Sequence, residues 1–195
     1  MKKKRTPLLY RISKLILGPL FMLYYNPKII GKENIPKDGT IIIAGNHKHL
    51  FDQCLTIVAT KRFINYMAKK EYFDDIKVSW FFKGTGCISV DRSKKDKVAV
   101  DKALAILNEE GAIGIFPEGT RNRTEDLLLP FKFGAVSMAK KSNSYIVPFG
   151  IVGTYKFRSK DLTIRYGKPF KINEMDLKEA NELLYNEVKM LMEGK

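Results

Sequence analysis

The sequence has little cysteine and little histidine, with two residues of each type among 195. Cys54 and Cys87 are far apart and have no CxxC partner. Neither a disulfide framework nor a cysteine zinc site is therefore predicted, and a reducing cytoplasm fits best. Both cysteines are expected to be small buried hydrophobic residues rather than nucleophiles. Because no third histidine exists, a histidine metal site is not supported, and no metal is expected.

Acidic residues are also scarce, since 21 Asp and Glu stand against 35 Lys and Arg and leave a net charge of +14. Such a charge attracts polyanions, which include nucleic acids, anionic membranes and phosphorylated substrates. No zinc-knuckle spacing and no aromatic-rich ribonucleoprotein motif is present, so no nucleic-acid partner is expected. The length and the hydrophobic content of 45% predict one globular domain with an N-terminal appendage.

No apolar run reaches the roughly 20 residues that a membrane-spanning helix needs. The stretch from Leu15 to Tyr25 is little more than half that long. Apolar residues at helical spacing over residues 8–16, with basic residues on the other side, predict an amphipathic helix. We therefore predict a membrane-interface segment at residues 1–27 and a domain at residues 28–195, with a core helix packed on that domain as the alternative. The basic residues that favour the membrane are Lys2, Lys3, Lys4, Arg5, Arg11 and Lys14.

Short β-branched runs alternate with helical periods through the rest of the chain. The predicted strands are residues 40–44, 64–68, 86–92, 112–116, 145–152, interrupted by Pro148, and 162–166. The predicted helices are residues 52–61, 95–110, 133–141 and 177–192. This alternation predicts a single layered α/β domain whose central sheet is largely parallel or mixed and is flanked by helices. Ligands of such a sheet bind beyond the carboxyl ends of its strands.

Both histidines lie in one stretch, Asn46 to Asp52, which directly follows an apolar run. Histidine titrates near neutral pH and is the usual general acid or base. His47 and Asp52 could meet across the strand-to-helix turn, so that the carboxylate fixes the imidazole tautomer and His47 acts as a general base. Asp52 is also a plausible N-cap of the following helix. The alternative is purely structural, with His47 capping the strand end and Asp52 capping the helix.

A second polar cluster follows the predicted strand at residues 112–116. A turn glycine, backbone N–H groups, a hydroxyl and a guanidinium come together there, which is a donor set that binds a phosphate monoester. These groups belong to Glu118, Gly119, Thr120 and Arg121. Arg92, at the end of what we expect to be the neighbouring strand, supplies a second guanidinium. Each arginine taken alone could be a solvated or salt-bridged surface residue, but two on the ligand-binding edge favour a phosphate site.

Four ordered blocks of the chain resemble the glycerophospholipid acyltransferase family, and most of all its members that acylate lysophosphatidate. An NHxxxxD block runs from Asn46 to Asp52, and a block that ends in arginine runs from Gly86 to Arg92. An FPEGTR block covers Phe116 to Arg121, and Val147-Pro148 matches the fourth block. The similarity spans about residues 29–167. FPEGTR in this order is specific, whereas any single block alone is not.

The resemblance implies an O-acyltransferase in which His47, oriented by Asp52, removes the proton from the 2-hydroxyl of 1-acyl-sn-glycerol 3-phosphate. The alkoxide would attack the thioester of acyl carrier protein or acyl-CoA, giving phosphatidate for phospholipid synthesis and a free thiol. By the same resemblance, the residues that hold the glycerol phosphate are Arg92, Glu118, Gly119, Thr120 and Arg121. No cofactor is implied beyond the acyl donor, and the other partners are lysophosphatidate and an anionic membrane surface. The expected location is the cytoplasmic face of the cell membrane, with peripheral or monotopic attachment.

His49 departs from the family, which commonly has a serine or another small polar residue two positions after the catalytic histidine. We keep His47 as the base because its position relative to Asp52 matches the motif. Supporting roles are assigned to Asn46, His49 and Pro148.

Two alternatives to lysophosphatidate acylation remain at this point. The same motifs suit acylation of another lysophospholipid or of glycerol 3-phosphate itself. A basic peripheral-membrane or RNA-binding protein could instead carry the histidine motif for structural reasons. The geometry separates an enzyme from this last possibility, because His47 must lie within hydrogen-bond reach of Asp52 and on the same side as Arg92 and Arg121.

Overall fold

The structure, a computed structural model, describes residues 6–93 and 95–194. Its centre is a sheet of seven strands with helices on both faces. The strands are β1 (Lys28–Ile30), β2 (Ile41–Gly45), β3 (Ile64–Lys69), β4 (Ile88–Val90), β5 (Ala112–Ile115), β6 (Tyr145–Val152) and β7 (Thr163–Tyr166). The helices are α1 (Leu8–Tyr25), α2 (Asp52–Ala59), α3 (Glu71–Asp74), α4 (Ile76–Gly84), α5 (Lys97–Asn108), α6 (Gly134–Ser142) and α7 (Leu177–Glu193).

The sheet has the strand order β1-β7-β6-β2-β5-β3-β4. Strands β2 to β6 run parallel to one another, whereas β7 is antiparallel to β6 and β1 follows the direction of β7. The predicted α/β domain with a mixed central sheet is therefore confirmed. Because parallel strands end at one edge of a sheet, the loops that follow β2, β4 and β5 open toward the same side.

Strand β2 forms the centre of the core. Its successive side chains point to opposite faces of the sheet. Ile42 and Ala44 belong to the core that includes α5, α6 and α7, whereas Ile41 and Ile43 belong to the core on the side of α2 and the end of α1. All four residues are fully buried, which explains why this run contains no polar residue.

Strand β6 continues through Pro148, although the sequence predicts an interruption there. Pro148 lies opposite Ala44 of β2, and its carbonyl accepts a hydrogen bond from the N–H of Gly167. The ring nitrogen faces the same side as that carbonyl, just beyond Phe149 and Tyr166, the last pair of the β6–β7 ladder. The missing N–H therefore removes no bond of the β2–β6 ladder and affects only the end of the β6–β7 ladder, so the strand tolerates proline at this position.

Helix α1 forms where the amphipathic segment is predicted, and it packs on α2 and α4. Tyr10 is buried. The Lys14 ammonium donates to the carbonyl of Thr60, although the sequence pattern places this lysine among those that would contact a membrane surface. The outer side of the helix is apolar and open, with Leu15 76% and Leu23 66% exposed. Lys2, Lys3, Lys4 and Arg5, which are part of the predicted basic cluster, lie outside the described residues. Within the described ranges, no helix combines the length and the apolar character required to cross a membrane.

Candidate active site

The loop between β2 and α2 brings His47 and Asp52 into contact, as the sequence predicts. His47 Nδ1 lies 2.8 Å from Asp52 Oδ2, and Asp52 is fully buried. The same carboxylate oxygen accepts the backbone N–H groups of Lys48 at 2.7 Å and His49 at 2.8 Å. The predicted N-cap role of Asp52 is wrong, because α2 begins at Asp52 itself and the residue in the N-cap position is Phe51. The carboxylate turns back to the preceding loop instead of capping the helix.

His47 is held in place by contacts of its ring and of its backbone. It stacks on Phe116, with ring centroids 4.0 Å apart and an angle of 14° between the planes. Its backbone N–H donates to Glu118 Oε1 at 2.6 Å, and its carbonyl accepts from the N–H of Asn122 at 2.6 Å. An ionised Asp52 can only accept, so in a neutral imidazole Nδ1 is the nitrogen that carries the proton and Nε2 keeps a lone pair. That is the tautomer a general base requires.

A cavity of about 450 Å³ lies at the carboxyl edge of the sheet, and His47 forms part of its wall. The polar part of the wall includes Arg92, Thr120 and Arg121, so three of the predicted phosphate-binding residues meet the predicted base in one cavity. Apolar and aromatic groups form the remainder, and these are supplied mainly by Leu50, Tyr66, Met67, Ala68, Tyr72, Phe82, Cys87 and Phe116. The cavity therefore combines positive charge, apolar surface and one imidazole.

The guanidinium groups of the cavity form no ion pair with the described residues, although the negative charge of Glu71 acts on Arg92. Lys69 pairs with Glu71, but in the described part of the chain no ion pair is formed by Arg92, Arg121 or Arg123, which also line the cavity. Burial lowers the pKa of the Arg92 guanidinium, yet arginine starts so far above neutrality that it stays charged. The site thus presents guanidinium groups to an anion.

Arg92 follows a strand whose position in the sheet differs from the predicted one. Its strand, β4, was expected to be the neighbour of β5, but β3 lies between the two and β4 is the last strand of the sheet. The reason is the long connection from β3 through α3 and α4, which returns the chain to the outer side of β3. The parallel direction of β4 still delivers Arg92 to the same edge as His47.

Glu118 and Gly119 are near this cavity but are not among the residues that line it. The Glu118 carboxylate is buried and accepts the backbone N–H groups of His47 at 2.6 Å and Leu129 at 3.0 Å. Burial raises its pKa, while these two hydrogen bonds act in the opposite direction. Gly119 has a φ of 72°, which suits the glycine of a tight turn. Both residues therefore shape the loops that hold His47, Thr120 and Arg121.

Asn46 directly follows β2 and Pro148 lies within β6, and neither residue lines the cavity. The Asn46 amide donates to the carbonyl of Ile151 at 2.9 Å and accepts the Ile151 N–H at 2.7 Å. The β2–β6 ladder ends one step earlier, at Gly45 and Phe149. The asparagine side chain therefore continues the ladder by one residue and fixes the start of the His47 loop.

Replacement of Asn46 by alanine should lower the free energy of unfolding by about 2–6 kcal/mol, because two buried backbone groups each lose a partner worth about 1–3 kcal/mol. Urea unfolding followed by circular dichroism measures this change. Asn108→Ala, at the exposed end of α5, is the matched control and should stay within about 0.5 kcal/mol of the wild type. An equal effect of the two substitutions would contradict the assigned role of Asn46.

The His49 ring packs on Tyr155 and is not part of the cavity wall, although only one residue separates it from His47. Its ring stacks on Tyr155 with centroids 4.2 Å apart and an interplanar angle of 16°. Its Nδ1 accepts the backbone N–H of Phe51 at 3.3 Å. Burial lowers the pKa of His49, which favours the neutral ring at neutral pH. His49 is not among the cavity-lining residues, so its position does not suit a base that acts on a substrate bound there.

Three further residues belong to this region but were not selected from the sequence. Arg123 and Lys69 line the cavity, and each lies close to a predicted feature, so proximity to the FPEGTR block or to a strand end could have indicated them. Tyr155 is different, because its hydroxyl donates to Asp52 Oδ1 at 2.7 Å across a separation of 103 residues. No motif contains it, and no local pattern distinguishes it from the other tyrosines.

Cys87 also lines the cavity, but burial raises the pKa of its thiol. The pKa of Cys54 is raised to about 11 for the same reason. Both thiols are therefore kept protonated, which agrees with the expectation that neither cysteine is the nucleophile.

Comparison with known proteins identifies the family. Residues 26–152 match the family model described as Acyltransferase. The 1-acyl-sn-glycerol-3-phosphate acyltransferase of Bacillus subtilis is 32% identical over 146 residues, which are 74% of this chain and 72% of that protein. The enzyme of that name from Borreliella burgdorferi is 35% identical over 141 residues, but these cover 71% of this chain and only 56% of that protein.

A solved structure has the same fold. The crystal structure of the 1-acyl-sn-glycerophosphate acyltransferase PlsC from Thermotoga maritima matches with a TM-score of 0.79 at 24% sequence identity. The match covers 95% of this chain and 78% of that one. Together with the family model, these similarities confirm the predicted family and the predicted class of enzyme. The chain belongs to the acyltransferase family.

Proposed function

We propose that this protein transfers a fatty acyl group from a thioester to the 2-hydroxyl of 1-acyl-sn-glycerol 3-phosphate. His47 Nε2 takes the hydroxyl proton as the oxygen attacks the thioester carbonyl, and the C–S bond breaks as the tetrahedral intermediate collapses. The proton then passes from His47 to the departing thiolate. The products are phosphatidate and a free thiol, so neither an oxidant nor a metal is needed for the balance.

One observation carries this proposal above the others. His47 Nδ1 is held 2.8 Å from the buried carboxylate of Asp52, and the same imidazole lines a cavity that also contains Arg92 and Arg121. A histidine that served only as a strand cap would need neither a buried carboxylate partner nor a cavity. The arrangement therefore favours an enzyme over a non-enzymatic basic protein.

The two kinds of surface in the cavity suit the two ends of a lysophospholipid. Guanidinium groups bind phosphate oxygens with charge-assisted hydrogen bonds, which assigns the headgroup to Arg92 and Arg121, with Thr120 as a further donor. The aromatic and aliphatic wall around Met67 and Phe82 would then contact an acyl chain. In this orientation the glycerol hydroxyl lies between the two ends, on the side of His47.

The names of the relatives support lysophosphatidate as the acceptor, because the proteins from Bacillus subtilis and Borreliella burgdorferi are both called 1-acyl-sn-glycerol-3-phosphate acyltransferases. They do not distinguish between acyl carrier protein and acyl-CoA as the donor. Another lysophospholipid or glycerol 3-phosphate would use the same base and the same phosphate contacts. The acceptor and the donor are therefore the variables that an assay must separate.

A transfer assay with the purified full-length protein tests the proposal. Lysophosphatidate, glycerol 3-phosphate and lysophosphatidylcholine are offered in turn, each with acyl carrier protein thioester and with acyl-CoA. Phosphatidate formed from lysophosphatidate, at a kcat/KM well above that for the other acceptors, is the expected result. Faster acylation of glycerol 3-phosphate or of lysophosphatidylcholine would replace the proposed acceptor, and no acyl transfer with any pair would overturn the proposed function.

We also propose that α1 attaches the enzyme to the cytoplasmic face of the cell membrane, where an acceptor and a product that carry acyl chains would reside. The outer side of this helix carries large apolar residues that the rest of the described chain leaves uncovered. They are Leu8, Ile12, Leu15, Ile16, Leu17, Leu20 and Leu23, and Tyr24 follows at the end of the helix. The net charge of +14 favours an anionic leaflet. Peripheral or monotopic insertion of this face is the proposed mode of attachment.

The double substitution Leu15→Glu and Leu23→Glu should weaken membrane binding by at least about tenfold, since each buried leucine contributes about 1.5–3 kcal/mol. Co-sedimentation with vesicles of phosphatidylcholine and phosphatidylglycerol measures the partition coefficient. The matched control is Val98→Glu with Met190→Glu, two residues that are 63% and 41% exposed on α5 and α7, on the other face of the sheet. If both double variants bind vesicles as the wild type does, α1 is not the attachment site.

A further inference from the structure

The carboxylate of Asp52 has more donors than the His47 contact requires. Oδ2 accepts from His47 Nδ1 and from the N–H groups of Lys48 and His49, all within five residues of Asp52. Oδ1 accepts one hydrogen bond, from the hydroxyl of Tyr155 at 2.7 Å. Asp52 is fully buried, so in the described part of the chain this second oxygen depends on Tyr155.

Tyr155 is suited to donate at this position. Burial and the negative charge of Asp52 raise the pKa of its phenol far above the ordinary value for tyrosine. The phenol therefore stays protonated, and its O–H donates a hydrogen bond to the carboxylate, which can only accept. Such a charge-assisted O–H···O⁻ bond is stronger than a hydrogen bond between neutral groups.

The Tyr155 ring is held from two sides. One face stacks on His49, with centroids 4.2 Å apart. Tyr25, at the end of α1, meets the ring edge to face at 5.5 Å and an angle of 80°. Aromatic contacts of this kind fix the direction of a ring, and here they direct the hydroxyl at Asp52. They also give His49 a structural task, because its ring supports Tyr155.

We propose that Tyr155 is a positioning residue for the acyl transfer, and that its hydroxyl fixes Asp52 Oδ1 so that Oδ2 stays directed at His47 Nδ1. A carboxylate held at only one oxygen can rotate about its side-chain bonds and weaken its contact with the imidazole. The hydroxyl removes that freedom, and it acts on the chemistry only through Asp52. The proposal rests on the proposed function, since it assumes that His47 is the base.

Tyr155→Phe removes the hydroxyl and keeps the ring, so the stacking on His49 remains possible. We expect kcat to fall by about tenfold or more, because a charge-assisted hydrogen bond is lost from the group that orients the base. The KM for lysophosphatidate should be unchanged, since Tyr155 does not line the cavity. Tyr145→Phe, at an exposed position of β6, is the matched control and should leave both constants unchanged. A rise in KM at constant kcat, or no change in either, would overturn the proposal.

A double-mutant cycle with Asp52→Asn tests whether Tyr155 acts through Asp52. In the Asp52→Asn background, Tyr155→Phe should have little further effect on kcat, whereas additive losses would overturn the proposal. Urea unfolding of the same four proteins is a second readout that needs no substrate. Tyr155→Phe should lower the unfolding midpoint in the wild type more than in Asp52→Asn, and equal changes would contradict the contact.

The two readouts also separate this proposal from the proposed function. If the wild type transfers no acyl group, the proposed function fails, and the positioning role in acyl transfer fails with it, whatever the unfolding cycle shows about the contact. If the wild type is active and Tyr155→Phe has the same kcat, only the proposal for Tyr155 fails.

Discussion

Replacement of His47 by alanine is expected to lower kcat by about 10²- to 10⁴-fold, the range that a positioned general base contributes. The imidazole is held by Asp52 and by stacking on Phe116, and Nε2 is the nitrogen left for a substrate hydroxyl. The folded structure should persist, because the backbone contacts of residue 47 with Glu118 and Asn122 do not need the side chain. Single-turnover and steady-state assays with lysophosphatidate measure the loss, and circular dichroism measures the fold.

His49→Phe is the matched control, since it removes the only other imidazole and keeps an aromatic ring to stack on Tyr155. Its kcat should stay within a few fold of the wild type. Near wild-type turnover by His47→Ala would show that His47 is not the base. A large loss in His49→Phe alone would transfer that role to the second histidine, against its position outside the cavity wall.

Replacement of Arg121 by alanine should raise the KM for lysophosphatidate by about 10- to 100-fold, which corresponds to the loss of a hydrogen bond to a charged group worth about 1.5–3 kcal/mol. Arg121 lines the cavity beside His47 and forms no ion pair with the described residues. Its charge is therefore available to the phosphate. The kcat should change much less than KM, because the guanidinium binds the headgroup in the ground state and the transition state alike.

Lys102→Ala, on the exposed surface of α5, removes the same charge at a distance from the cavity and should leave KM unchanged. Arg121→Lys keeps the charge but loses the planar pair of donors, so it should lie between the wild type and Arg121→Ala. An unchanged KM in Arg121→Ala would remove Arg121 from the headgroup site. An equal rise in KM in Lys102→Ala would instead indicate an effect of net charge on binding to lipid surfaces.

The contact between His47 and Asp52 could be predicted because the chain places them within five residues of each other. A strand followed by a short loop and a helix leaves few arrangements for Asn46 to Asp52, and a parallel sheet gathers its strand ends at one edge. Arg92, Thr120 and Arg121 reached the cavity for that reason, even though β3 lies between β4 and β5. Strand order depends on how connections cross the sheet, which local patterns do not encode.

By itself, then, the sequence determined that His47 and Asp52 would pair and that guanidinium groups would meet them at the carboxyl edge of an α/β sheet. Only the tertiary structure decided what holds that pair in place. The Glu118 carboxylate accepts hydrogen bonds from the backbone of His47 and Leu129, and the Tyr155 hydroxyl donates one to Asp52 from 103 residues away. These contacts join segments that are distant in the chain, and a residue's own neighbours in sequence carry no information about which remote segment will pack against it.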